Sequence, residues 1–70
     1  LLDMDRLEEA EAAYQAALTY DPEDWEAWGN LGLACLKRGR QAEALKAFKR
    51  ALTLRPEAGK IGEIVRDLER

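Results

Sequence analysis

The sequence predicts an all-α fold of about four helices, and three observations carry that prediction. Residues 1–22 return at residues 35–56, with Arg6 as Arg40, Glu9 as Glu43, Ala10 as Ala44, Ala13 as Ala47, Ala17 as Ala51, Leu18 as Leu52, Thr19 as Thr53 and Pro22 as Pro56. Tyr14 is answered by Phe48. Repetition at a fixed period of this size marks an array of stacked units. Apolar residues also recur at three- and four-residue spacing through 25–54, the pattern of helices with one face turned inward. Finally, Pro22, Gly39 and Pro56 punctuate the chain between these runs, where helices stop.

Taken in order, Leu1 and Leu2 read as the stub of a helix whose body would precede them. Asp5, with Glu8 three residues on, forms the capping-box pattern that opens a helix Arg6–Tyr20. In that helix Leu7, Ala10, Tyr14 and Leu18 are expected to be only partly covered, because a hairpin partner is missing. Asp21–Asp24 is an acidic turn. Pro22 suits a first helical position, where its absent N–H costs nothing. A helix Asp24–Lys37 follows and closes with Lys37 and Arg38 at its negative end. Gly39 accepts the left-handed backbone of a C-cap.

The helix Gln41–Leu54 is rich in Ala, Leu, Lys and Glu, all strong helix formers. Gly32, Ala44 and Ala51 are small where the two hairpin helices must approach. Trp28, Leu31, Leu45, Phe48 and Leu52 are large where a core must be filled. Past Pro56 the repeat decays, with Gly59, Gly62 and Arg66 standing for Trp25, Trp28 and Gly32. Ile61, Ile64, Val65 and Leu68 nevertheless keep helical spacing, so residues 59–70 read as an amphipathic capping helix, with fraying expected from its glycines.

The stretch Trp25–Ala58 resembles a tetratricopeptide (TPR) repeat. Trp28, Leu31–Gly32 and Cys35 follow the family's first-helix signature, and Ala44, Phe48, Ala51 and Pro56 follow the second. Cys35 departs from it, standing where the family usually has Tyr. The resemblance implies one TPR-like domain over 1–70. It consists of the second helix of a truncated repeat at 1–22, a complete repeat at 25–58, and the cap at 59–70.

Composition bounds the chemistry. Seventy residues allow one small domain that buries about 60% of its unfolded surface. The single Cys35 cannot form an internal disulfide, and its place on the inward stripe gives it a packing role. His is absent, which removes the usual zinc ligand and the usual acid–base group at neutral pH. The clusters Glu8, Glu9, Glu11 and Glu23, Asp24, Glu26 are expected on solvated surfaces, not in the sheltered, unlike environments that acid–base catalysis requires. No phosphate-binding loop, cofactor site or metal-ligand spacing appears, and the chain reads as non-enzymatic.

No apolar run approaches the ~20 residues of a membrane span and no leader pattern opens the chain. The expected location is cytoplasmic. Residues 1–34 hold nine acidic and one basic side chain, residues 35–70 five acidic and ten basic. Such polarity fits a module from a longer array, or head-to-tail association of copies. Separately, the partly covered face of helix 6–20 is expected to expose apolar surface that a second copy could cover, giving a homo-oligomer. Lys46, Lys49 and Arg50 share one face of helix 41–54. They lack the aromatics that nucleic-acid stacking uses, so a solvated face is favoured over a nucleic-acid partner.

The function implied by the resemblance is a non-catalytic protein–protein interaction module that takes a short peptide on the concave surface of its helical array. Its expected peptide-binding residues are Glu26, Gly29, Asn30, Leu33, Leu36, Lys37 and Lys60. Leu33 and Leu36 supply an apolar floor, Gly29 room beside them, and Asn30 a donor and acceptor for a peptide backbone. The two-carboxylate clamp of some family members would match only Asn30 and Lys60. Ile64 stands where its Arg belongs, which disfavours capture of a chaperone tail. The alternative is a structural or self-associating terminal piece of a repeat array without a ligand of its own.

Overall fold

A computed structural model describes residues 4–70, so the stub expected at Leu1–Leu2 lies outside the described residues. Four helices follow one another: α1 (Met4–Tyr20), α2 (Trp25–Lys37), α3 (Gln41–Leu54) and α4 (Gly59–Leu68). Each packs on the next in the chain, the α2–α3 hairpin most extensively. No strand occurs among the described residues, and none of their helices is long and apolar enough to cross a membrane.

The helix ends show how local chemistry sets the boundaries. α1 begins at Met4, so Asp5 lies within its first turn and not at the cap expected for it. Pro22 is likewise not a first helical residue but part of the connecting turn, where Asp21 Oδ1 accepts from the Glu23 N–H at 3.2 Å. The cap of α2 is Asp24, whose carboxylate accepts from the N–H groups of Glu26 and Ala27 at 3.1 and 3.2 Å. At the other end of α2, Gly39 takes φ +78°. Its N–H donates to the Leu36 carbonyl, and the Arg40 N–H donates to that of Cys35. These paired bonds are a Schellman closure, and they turn the chain sharply into α3.

Small residues let the hairpin close. Ala44 and Ala51 are fully buried, and a Cβ placed on Gly32 would lie 2.7–2.8 Å from the Phe48 ring. Phe48 has 0% exposure and anchors a core that includes Leu18, Leu31, Cys35, Ile61 and Val65. Trp28, Leu45 and Leu52 are half-buried around it.

On α1 the expectation is met only in part. Ala10 and Tyr14 are half-buried, but Leu7 and Leu18 are buried, at 8% and 7% exposure. α1 packs along α2 and Leu18 joins the common core, so the stripe is better covered than expected. Glu11 is the larger surprise. Expected in solvent, it is 5% exposed and faces α2.

Candidate functional site

Glu26, Gly29, Asn30 and Leu33 fall at three- and four-residue intervals on one face of α2. Across from them α4 presents Gly59, Lys60, Ile61 and Ile64. Between the two helices lies a cleft of about 560 Å³, with Phe48 of α3 behind it and Trp25 and Ala58 completing its walls. Five of the seven predicted residues line it: Glu26, Gly29, Asn30, Leu33 and Lys60. Leu36 does not; it is half-buried and packs on the core. Lys37 is exposed at the last turn of α2, off the cleft.

Gly29 plays a different part from the one expected. The room it leaves is taken by Ile61, whose Cδ1 would stand 3.1 Å from a Cβ at that position. The missing side chain lets α4 seat against α2 and makes Ile61 part of the floor. Leu33 remains open to solvent at 41% exposure. The result is an apolar floor with Glu26 and Asn30 on one wall and Lys60 on the other.

Two indoles three residues apart border different hollows. Trp28 donates from Nε1 to the Pro22 carbonyl at 2.8 Å and borders a smaller hollow of about 330 Å³ with Gln15, Leu18, Thr19 and Leu31. Trp25 faces the cleft, and the Arg55 guanidinium sits 5.2 Å from its ring centroid. That cation–π contact ties the cleft wall to the α3–α4 turn.

On the α1 side of α2 lies a charged cluster. Arg38 donates through Nη1 to Glu11 and through Nη2 to Glu8, the latter at 3.2 Å. The Arg38 hydrogen bond holds the Glu11 carboxyl below the ordinary carboxylate range, outweighing the effect of burial. Burial, followed by the charge of Glu11, pushes the Cys35 thiol up to about 11. Its Sγ lies 3.6 Å from Glu11 Oε1. Glu11, Cys35 and Glu43 bring ligand atoms within 4.8 Å of one another. Both carboxylates already face guanidinium groups, of Arg38 and Arg40, and the thiol stays protonated at neutral pH. The cluster reads as an ion-pair joint.

The basic stripe is exposed on α3, and Lys49 pairs with Glu69 at 2.7 Å.

Sequence reasoning missed Trp25, Ile61 and Ile64 as cleft residues, although Trp25 shares the spacing of Gly29 and Leu33. It also missed the joint. The signal was a charge inside an apolar stripe, since Glu11 falls one turn from Leu7.

A family model described as tetratricopeptide repeat matches residues 1–59. Superkiller complex protein 3 of Homo sapiens is 48% identical over 50 residues, 71% of this chain and 3% of that protein. Superkiller protein 3 of Schizosaccharomyces pombe is 40% identical over 57 residues, 81% of this chain and 4% of its own length. The Cell division cycle protein 27 homolog of Caenorhabditis elegans is 34% identical over 56 residues, covering 80% and 7% respectively. The chain thus spans a small fraction of the relatives it matches.

Proposed function

The chain belongs to the tetratricopeptide repeat family, and from that membership we propose that its α2–α4 cleft holds a short peptide segment of a protein partner. The family's repeats form a non-catalytic scaffold for protein and peptide binding, and this chain is read as one such module. Relatives named for the Superkiller complex favour a partner that is itself a protein.

The observation that carries the reading is the make-up of the cleft. Its volume of about 560 Å³ lies within the ~300–1,000 Å³ typical of ligand pockets. Leu33, Ile61 and Ile64 offer apolar contact to one large side chain of the peptide. The Asn30 amide supplies a donor and an acceptor for its backbone. Glu26 and Lys60, of opposite sign on opposite walls, orient it. The role calls for no cofactor.

Random peptides displayed on phage and panned against wild type and Leu33→Glu test this reading. Leu33 is exposed enough for the variant to fold, which circular dichroism checks. Wild type should enrich peptides carrying a large apolar residue, and the variant should lose them. Equal enrichment by both, or none by either, would remove the cleft as the site.

A second reading rests on α1. Ala10, Ala13, Tyr14 and Ala17 are half-buried or exposed, whereas their repeat counterparts Ala44, Ala47, Phe48 and Ala51 are buried at 0–3%. In that reading the α1 face joins two copies. Light scattering at micromolar concentration, at low and high salt, distinguishes the readings: a monomer under both conditions eliminates this one.

A further inference from the structure

The interfaces made by α1 and α3 differ at equivalent positions. α1 presents Glu8 and Glu11 toward Arg38, whereas at the same repeat positions α3 carries Ala42 and Leu45. Arg38 is committed to this place. It is the C-cap of α2, its backbone N–H donates to the Ala34 and Cys35 carbonyls, and the Gly39 turn follows at once. Its side chain is 14% exposed and its Nε is buried without a partner, so the guanidinium depends on the carboxylates of α1 for most of its stabilisation.

We propose that Arg38 is a positioning residue that selects its neighbour: this side of α2 accepts a helix carrying a carboxylate at the Glu11 place and rejects one carrying the apolar residue found in α3. An apolar neighbour would leave the guanidinium enclosed and unpaired, and that penalty is the discriminating element. The two second-type helices of the chain, alike in sequence elsewhere, are therefore not interchangeable.

The groups facing this joint are Glu8 and Glu11 from α1, Cys35 and Arg38 from α2, Arg40 from the following turn and Glu43 from α3. Arg38 keeps its charge, which its hydrogen bond to Glu11 favours, so the joint loosens when Glu11 takes up a proton. A carboxyl held low in the folded state contributes stability above its unfolded pKa, and that contribution is lost as pH falls through the folded value. The loosening belongs below the ordinary carboxylate range of about 4.3.

The test transplants the α3 residues into α1 of the full chain as Glu8→Ala/Glu11→Leu and reads α1 amide hydrogen exchange by NMR. At neutral pH the α1 amides should exchange at least tenfold faster than in wild type, although both new residues are good helix formers. Adding Arg38→Leu should restore protection to the wild-type level or above. Wild type should lose α1 protection only as the pH falls below the ordinary carboxylate range, and the triple variant should keep it. If the transplant alone fails to fold, the triple variant still decides: a folded chain supports the proposal and an unfolded one overturns it. Undiminished protection in the transplant, or equal loss in transplant and triple variant, also overturns it.

Discussion

Gly32 on α2 lies flat against the Phe48 ring of α3, so close that a methyl group at Gly32 would stand 2.7 Å from Phe48 Cε1. Phe48 is fully buried in the core. Gly32→Ala therefore sets a helix-propensity gain of about 1 kcal/mol against the strain of overpacking, about 1–3 kcal/mol. The clash should win. Urea unfolding is expected to show a net loss of about 1 kcal/mol, and an unchanged or raised midpoint would mean that the hairpin opens without cost.

Gly62 is the contrasting case. It sits in α4, and a Cβ there would meet nothing within 4 Å. Its backbone is helical, with the N–H donating to the Ala58 carbonyl at 3.1 Å. Gly62→Ala should thus raise stability by up to ~1 kcal/mol through propensity alone. The same urea titration checks it, and slower amide exchange should be confined to α4.

Asp24 is the one helix cap among the described residues at which a side chain closes the first turn. Asp24→Ala should cost about 1 kcal/mol, by freeing the Glu26 and Ala27 N–H groups. Asp24→Asn should keep most of that stability, since its amide oxygen still accepts. Equal losses in the two variants would assign the effect to charge.

Cys35 supplies an alkaline counterpart to the acid-sensitive joint. Its thiol is raised to about 11 in the folded chain, against about 8.5 for a free thiol. A group raised in this way contributes stability below its unfolded value, and that contribution disappears as pH climbs to the folded value. Wild type should therefore weaken between pH ~8.5 and 11 more steeply than Cys35→Ser. At pH 8 a thiol reagent should label Cys35 only as fast as the chain opens, so labelling should accelerate with urea.

The hairpin was legible because it is local. Gly32, Ala44, Phe48 and Ala51 recur at helical spacing, and only one hairpin geometry puts the small residues opposite the ring. Gly39 was legible for a similar reason, since a left-handed turn selects glycine on sterics alone. The start of α2 was placed one residue early, at Asp24 and not Trp25, because Asp21, Pro22 and Asp24 all carry helix-start chemistry within four positions. Which of them caps depends on where α2 must point to meet α3.

By itself the sequence determined the helices, their order, the repeat and its family, because each depends on neighbours within a few turns or on a period that can be counted. The tertiary structure decided the rest. Whether Gly29 opens a space or seats Ile61 depends on how near α4 comes to α2. Whether Glu11 meets water or Arg38 depends on the angle at which α1 crosses α2. Both are distances between residues far apart in the chain, set by the packing of whole helices, and periodicity within one helix holds no record of them.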